Sequence, residues 1–273
     1  MSDVLTGGAG AVTEVFQRAQ RDARASLIGY LPAGYPSVPD AVDAMAAMVD
    51  AGVDLVEVGL PYSDPLMDGP VIQQAVDAAL RAGTTTADVL TTVEQLAERG
   101  ATAVVMSYWN PIERYGDERF ARDLAAAGGA GVITPDLIPD EAGAWLSAAR
   151  QHDLATVFLV APSSTDERLV LTTEACRGFV YAASTMGVTG ARDQVGDAAH
   201  LLVERTRAVT DLPVGVGLGV STPVQAAEVA SFADGVIVGS ALVRCLLEAD
   251  SASAGLARLT SLASGLADGV RRD

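Results

Sequence analysis

The segment Asp54–Pro70, DLVEVGLPYSDPLMDGP, passes from an apolar run into an acidic loop rich in turn-forming residues. The alternation along Leu55–Gly59 predicts a β-strand that carries Glu57 on a face with apolar neighbours. The prolines and the glycine that follow suit neither a helix nor a central strand, so the strand must end near residue 59. A carboxylate at a strand tip, followed by Asp64 and Asp68, predicts a functional site. The structural alternative is a buried, hydrogen-bonded Glu57 followed by ordinary turn aspartates.

Strand-like and helix-like segments alternate along the whole chain. Eight apolar runs have the composition of strands: Ser26–Leu31, Leu55–Gly59, Ala103–Tyr108, Gly131–Ile133, Ala155–Val160, Phe179–Ala182, Val214–Val216 and Gly235–Val238. Ala-rich segments with helical spacing lie between them: Val38–Ala51, Val71–Ala82, Asp117–Ala127, Asp140–Gln151, Asp166–Glu174, Ala198–Val209, Thr222–Ala230 and Ala241–Glu248. Strands that are apolar on both faces are typical of a parallel sheet covered by helices. We therefore predict an α/β fold, a closed (β/α)₈ TIM barrel, with a doubly wound open sheet as the main alternative.

Additional helices are predicted at the N-terminus, at Thr84–Arg99 within the second crossover, and at Ala252–Val270 near the C-terminus. The length of 273 residues suits a single TIM-barrel domain over residues 1–273, with residues 1–15 as a frayed, Gly-rich lead-in to the first helix. A hydrophobic content of 49% without an apolar run near the roughly 18 residues of a membrane span predicts a soluble protein. Without a secretion signal, and with only Cys176 and Cys245 far apart, a cytoplasmic location is expected.

The charge composition limits partners and chemistry. A formal net charge of −17 repels nucleic acid and anionic membrane surfaces, so neither is an expected partner. All 18 basic residues are Arg, and the absence of Lys excludes Schiff-base catalysis and an internal linkage to pyridoxal phosphate. His152 and His200 are far apart, and the two cysteines form no close-spaced pair. No metal site is therefore predicted, although a Mg²⁺ site built only from carboxylates stays open.

In a TIM barrel the chemistry lies where the strands run into the following helices. Tyr30, Glu57, Tyr108 and Tyr181 all fall at or near such strand ends. Tyr30 and Tyr108 have an alternative role as capping aromatics.

Two Gly-rich turns late in the chain predict a phosphate site. The first, Gly215–Ser221, contains Gly217, Leu218 and Gly219, and a helix opened by Thr222 and Pro223 follows it. The second is Gly239-Ser240, again at a helix start. Glycines let backbone N–H groups approach a ligand, and helix N-termini favour anions, so these turns can hold a phosphate without Lys. A loop that contains Thr189 and Gly190 could close over the site, and tight βα turns without a ligand are the alternative.

Four segments together resemble the tryptophan synthase α chain: Leu55–Pro70, Tyr181–Arg192 (YAASTMGVTGAR), Val216–Thr222 (VGLGVST) and Val236–Val243 (VIVGSALV). The resemblance covers about Ser26 to Val243 and implies a barrel that cleaves indole-3-glycerol phosphate to indole and glyceraldehyde 3-phosphate. It implies an α₂β₂ assembly with a tryptophan synthase β chain, in which only the β chain carries pyridoxal phosphate. No cofactor is expected in this chain.

The resemblance also implies residue roles. Glu57 is similar to the family's catalytic acid/base, Asp68 to its second catalytic carboxylate, and Tyr181 to the hydroxyl neighbour of that glutamate. The substrate-binding positions are expected to be Tyr30, Tyr108, Tyr181, Thr189, Gly190, Gly217, Leu218, Gly219, Gly239 and Ser240. Tyr30 and Leu218 stand where many family members carry Phe, which affects the predicted shape of the indole pocket.

The expected chemistry agrees with the absence of Lys. A retro-aldol cleavage needs an electron sink, and an indole ring protonated at C3 is one. Glu57, its pKa raised by an apolar barrel, can supply that proton, while Asp68 on a more solvated loop stays ionised. The loops at residues 62–70 and 185–197 are expected to be mobile until a β chain orders them. The alternatives are a stand-alone indole-3-glycerol phosphate lyase, another phosphate-binding barrel isomerase, and a non-catalytic regulatory subunit.

Overall fold

The computed structural model describes residues 7–183, 192–217 and 219–272, and the side chains of residues 192–195 are outside this description. Within these ranges eight strands form a closed barrel in the order β1-β2-β3-β4-β5-β6-β7-β8. Every neighbouring pair is parallel, including β1 with β8, which closes the ring. The predicted (β/α)₈ barrel is confirmed, and the open doubly wound sheet is excluded.

The strands lie close to where the apolar runs predict them. They are β1 Ser26–Pro32, β2 Leu55–Gly59, β3 Ala103–Met106, β4 Gly131–Thr134, β5 Ala155–Val160, β6 Val180–Ala183, β7 Val214–Gly217 and β8 Gly235–Val238. Only β3 ends more than one residue from its predicted boundary, at Met106 instead of Tyr108.

Helices cover the outside of the barrel. They are α1 Gly8–Arg21, α2 Val38–Asp50, α3 Pro70–Arg81, α4 Thr86–Glu98, α5 Trp109–Tyr115, α6 Asp117–Ala126, α7 Gly143–Gln151, α8 Asp166–Ala175, α9 Arg192–Arg207, α10 Pro223–Ala230, α11 Ser240–Leu247 and α12 Ala252–Gly269. Local chemistry sets several of their starts. Thr85 and Asp88 form a capping box at α4, and Pro223 opens α10 directly after its cap, Thr222. The additional helices predicted in the second crossover and at the C-terminus are α4 and α12.

Helix α1 corrects the expectation of a frayed lead-in from residue 8 onwards, because the helix begins at Gly8, and residues 1–6 lie outside the described ranges. Val12, Val15 and Phe16 are buried, and the Phe16 ring lies 5.2 Å from the ring of Phe179. Together with side chains inside the barrel they form one apolar cluster. The helix therefore covers the amino-terminal end of the barrel, and burial of its apolar face stabilises it despite its glycines.

Helix α5 was not predicted from the sequence. The expected third strand stops early, and Tyr108 becomes the residue that precedes the helix. The Trp109 backbone N–H donates to Asp136 Oδ1 at 2.9 Å, which supplies an acceptor that the local sequence lacks. Pro111 is compatible with the first turn of a helix, where its missing N–H costs nothing.

Two aspartates fasten neighbouring strands at the amino-terminal end of the barrel. Asp54, just before β2, accepts the Leu27 backbone N–H of β1 at 2.9 Å and pairs with Arg24. Asp234, just before β8, accepts the Val214 N–H of β7 at 2.9 Å and pairs with Arg207. Hydrogen bonds from a backbone N–H to a carboxylate are strong, so these two bonds help to fix the strand register.

Candidate active site

The carboxyl-terminal ends of the strands carry three of the predicted site residues towards the barrel interior. Tyr30 of β1 pairs in register with Glu57 of β2, and Tyr181 lies on β6. Below them, Ile28, Leu55 and other apolar side chains fill the barrel down to α1. The candidate polar groups therefore lie directly above the apolar interior of the barrel.

Glu57 is almost completely enclosed, with 1% of its surface exposed. Its Oε1 atom has no hydrogen-bond partner among the described residues. Because burial disfavours the charged form, the pKa of Glu57 is raised to about 8. The structural alternative, in which the buried carboxylate is satisfied by hydrogen bonds, therefore does not hold for Oε1. A carboxyl group that keeps its proton near neutral pH can act as an acid.

Tyr181 approaches Glu57 from the opposite side of the barrel. Its pKa is raised well above its usual value by burial and, second, by the charge of Glu57. The ring lies across the next strand, where a Cβ at Gly217 would be 2.9 Å from Tyr181 Cε1. Gly217, predicted as a substrate-binding residue, thus has a described role in making room for this ring.

Asp68 is held by Tyr108, which follows β3. The Tyr108 hydroxyl donates to Asp68 Oδ1 at 3.3 Å and accepts the Met67 backbone N–H at 2.9 Å. Gln73 Nε2 donates to the Asp68 carbonyl at 2.8 Å from α3. Partial burial raises the pKa of Asp68, while the Tyr108 hydrogen bond lowers it. Asp68 is therefore more enclosed than the solvated loop position expected from the sequence.

Three further residues support Tyr108 directly or through a neighbour, and none of them is assigned a role from the sequence. The Tyr62 ring packs against Tyr108 with centroids 5.4 Å apart, and Asn110 Nδ2 donates to the Tyr62 hydroxyl at 3.1 Å. Asp136 holds the start of α5 directly after Tyr108. The signal that could have found Asp136 is its position, since it also follows the end of a barrel strand.

The two predicted phosphate turns lie at the same end of the barrel. Gly219 has a φ of +68°, a conformation that favours glycine, and apart from its chain neighbours no heavy atom of the described residues lies within 4 Å of the position that its Cβ would take. Gly239 directly precedes α11, whose first residue is Ser240, and Thr222 caps α10 by accepting the Gln225 N–H at 3.2 Å. The amino termini of two helices thus follow the seventh and eighth strands, an arrangement suited to an anion. Thr189, Gly190 and Leu218 lie outside the described residues.

A cleft of about 510 Å³ lies at the opposite end of the barrel, beside α1 and the starts of β6 to β8. Its lining includes Arg24 and Arg207, but these pair with Asp54 and Asp234. We therefore assign this cleft to the amino-terminal end of the barrel, where these ion pairs stabilise the fold, and not to the candidate site.

In the described ranges, no three His, Cys, Asp or Glu side chains come together in a group that could hold a metal ion. No helix of the described part of the chain has the length and apolar character to cross a membrane.

Comparison with known proteins assigns this arrangement to a family. The family model for the tryptophan synthase alpha chain matches residues 16–271. The chain belongs to the tryptophan synthase alpha chain family. A family member from Acidothermus cellulolyticus is 59% identical over 263 residues, which cover 96% of this chain and 97% of the relative. The tryptophan synthase alpha chain of Mycobacterium tuberculosis H37Rv is 62% identical over 257 residues, covering 94% of this chain and 93% of that protein.

Solved structures of the family have the same fold. A structure of Mycobacterium tuberculosis tryptophan synthase aligns with a TM-score of 0.89 and 60% identity, covering 96% of this chain and 98% of that chain. The tryptophan synthase subunit alpha of Legionella pneumophila aligns with a TM-score of 0.87 at 32% identity, covering 95% of this chain and 98% of that chain. The resemblance inferred from four sequence segments thus extends over nearly the whole chain.

Proposed function

We propose that this chain is a lyase that cleaves indole-3-glycerol phosphate to indole and glyceraldehyde 3-phosphate, as the α subunit of tryptophan synthase in tryptophan biosynthesis. The observation that carries the proposal is the state of Glu57. This carboxyl group is buried above the apolar interior of the barrel, and its pKa is raised to about 8. It therefore holds a proton near neutral pH, where the reaction needs an acid.

The reaction begins with transfer of the Glu57 proton to C3 of the indole ring. This makes an indoleninium, which accepts the electron pair when the bond between C3 and the glycerol carbon breaks. The hydroxyl on that carbon loses its proton as the carbonyl of the aldehyde forms, and the Glu57 carboxylate produced in the first step can take it. Glu57 thus ends the cycle protonated, and no Lys or metal is required as an electron sink.

Asp68 has the second role. An ionised carboxylate beside the ring N–H stabilises the positive charge that develops there, and preorganisation makes such stabilisation effective. Burial raises the pKa of Asp68, the Tyr108 hydrogen bond to Oδ1 opposes that shift, and the same bond fixes the position of the carboxylate. The two carboxyl groups therefore differ in environment as their roles require.

The phosphate of the substrate binds at Gly219, Gly239 and Ser240, next to the helix starts of α10 and α11. The open space at Gly219 supports close approach of an anion to the backbone. The remaining substrate contacts come from Tyr30, Tyr108, Tyr181, Gly217, Leu218, Thr189 and Gly190, of which the last three are carried by the family resemblance alone.

The partner is a tryptophan synthase β chain in an α₂β₂ assembly, and pyridoxal phosphate belongs to that chain only. Leu66 and Met67 support this assignment, because their side chains are 80% and 55% exposed directly beside Asp68. A partner that covers them would order the segment that positions Asp68. The chain works as one barrel domain in the cytoplasm, where its free cysteines, Cys176 and Cys245, would stay reduced.

The test is indole release from indole-3-glycerol phosphate by the purified chain, with and without a β chain. Wild type should release indole, and Glu57→Gln should lose nearly all activity while its fold and its affinity for glycerol 3-phosphate persist. Asp68→Asn should also be severely impaired. Retention of more than about a tenth of the wild-type rate, a loss of less than roughly 1.4 kcal/mol, would remove the assigned role from that residue. Turnover of sugar phosphates without an indole ring would instead identify a barrel isomerase.

A further inference from the structure

The Tyr30 side chain runs between the two halves of the candidate site. At its base, a Cβ at Gly239 would lie 3.5 Å from both Tyr30 Cβ and Cδ1, so this part of the side chain borders the candidate phosphate turn. At its tip, a Cβ at Gly59 would lie 2.6 Å from Tyr30 Cε2 and 2.7 Å from Cζ. The ring therefore extends from Gly239 to the end of β2, two residues beyond Glu57.

The hydroxyl at the tip of this ring lies against Gly59, two residues after Glu57 on β2. The pKa of Tyr30 is raised well above its usual value by burial first, then by the charge of Asp68 and then by that of Glu57. Tyr30 is 9% exposed and lies on the same face of β1 as Ile28, whose side chain fills the barrel, so the Tyr30 ring points into the barrel. Buried tyrosine hydroxyls usually have a hydrogen-bond partner, and here the pocket is where a ligand would supply one.

The proposed substrate must follow the same path. Its phosphate lies at the turn of Gly239, its ring C3 lies at Glu57, and a three-carbon chain with two hydroxyl groups connects them. A side chain that spans the same two points lies alongside that chain.

We propose that Tyr30 is a specificity-determining residue that binds the hydroxyl-bearing chain of the substrate. Its phenol hydroxyl forms a hydrogen bond with the substrate hydroxyl nearest the indole ring. This inference rests on the proposed function and assigns Tyr30 to the chain of the substrate, whereas a role in shaping the indole pocket would involve only the ring of Tyr30. A phenylalanine at position 30 would keep the wall of the pocket and lose this bond.

The experiment compares two ligands that differ only in those hydroxyl groups, indole-3-glycerol phosphate and indole-3-propanol phosphate. Calorimetric titration is carried out in a Glu57→Gln background, so that the first ligand is not consumed. Tyr30→Phe should weaken binding of indole-3-glycerol phosphate about five- to tenfold, as expected for loss of one hydrogen bond. Binding of indole-3-propanol phosphate should change by less than about twofold. In the enzyme with Glu57 intact, Tyr30→Phe should raise KM more than it lowers kcat.

Tyr115→Phe is the matched control, because the Tyr115 hydroxyl donates to Asp123 on α6, away from the pocket. It should leave both affinities unchanged. Equal losses for the two ligands in Tyr30→Phe, or no loss for either, would overturn the inference while leaving the proposed function intact. If neither ligand bound the chain, and wild type released no indole, the proposed function and the inference would both be wrong.

Discussion

The Tyr108 hydroxyl is the direct connection between the end of β3 and the candidate carboxylate Asp68, which it reaches at 3.3 Å while accepting the Met67 N–H at 2.9 Å. Asp68 belongs to the loop after β2, so a contact between two neighbouring βα loops sets its position. We expect Tyr108→Phe to lower kcat for indole release by about tenfold or more, because displacement of a catalytic group by about 1 Å can cost on the order of a hundredfold. Steady-state assays with saturating substrate measure this. The Tyr115→Phe variant should keep the wild-type rate, and an unchanged kcat in Tyr108→Phe would show that Asp68 does not depend on this bond.

The raised pKa of Glu57 predicts a specific pH dependence of stability. The value is 4.5 for the free side chain and about 8 in the folded protein, so the folded state binds this proton more tightly than the unfolded state. The contribution of this proton to the free energy of unfolding is fully present below pH 4.5 and is lost as the pH rises towards 8. Its full size is on the order of a few kcal/mol, since each pKa unit corresponds to about 1.4 kcal/mol.

Glu57→Gln removes this dependence, because the amide does not titrate. The difference in unfolding free energy between the variant and wild type should therefore shift in favour of the variant as the pH rises from 5 to 8. Urea denaturation of both proteins at several pH values measures it, and other titrating groups cancel in the difference. A difference that stays constant over this range would mean that Glu57 ionises normally in the folded protein.

Gly239 provides a test of the phosphate site with little cost to the fold. A Cβ there would be 3.5 Å from the nearest atoms of Tyr30, an ordinary contact, and the backbone φ of −120° lies outside the left-handed region that favours glycine. Gly239→Ala should weaken binding of glycerol 3-phosphate by about tenfold, roughly 1.4 kcal/mol, by keeping the anion from the backbone. Binding of free indole should suffer much less. Gly143→Ala, in α7 where a Cβ meets no atom within 4 Å, is the control. Equal losses for the two ligands would indicate a general change in the pocket.

The exposed apolar residues beside Asp68 predict where the β chain acts. Leu66→Asp should reduce the activation of indole release by a β chain at least tenfold, because a charge at an apolar contact must be desolvated on docking. Titration of the β chain against the rate of indole release tests this. Leu201→Asp replaces a leucine that is 56% exposed in the middle of α9, away from the candidate site, and should leave activation unchanged. Full activity of the wild-type chain without a partner would instead favour a stand-alone lyase.

The sequence predicts the barrel well because the relevant information is local. Apolar runs such as Leu55–Gly59 become strands at the predicted positions, since an apolar run that alternates with helices is buried on both faces in this fold. Glu57 is identifiable for the same reason, as the one carboxylate within such a run. Helix α5 is not, because its first N–H finds its acceptor on Asp136, 27 residues away in the chain.

Contacts across the strand ends explain what sequence reasoning could not reach. Asp68 and Tyr108 are separated by 40 residues, and only the barrel register brings them together. The partial burial of Asp68 could not be predicted either, because a loop rich in turn residues is usually exposed. Composition also gave no sign that α1 covers the end of the barrel, because the apolar residues of α1 begin only after a Gly-rich start.

The close approach of Tyr30 to Gly59 has an evolutionary consequence. A side chain at position 59 and an aromatic ring at position 30 compete for the same volume, so the effects of substitutions at the two positions are epistatic. A library that varies residue 59 alone would find almost no tolerated side chain. A library that varies both positions together should recover small residues at 59 paired with reduced side chains at 30. Such pairs open a route by which the pocket could accept substrates with a different chain, and a lineage that changes one position at a time must change position 30 before position 59.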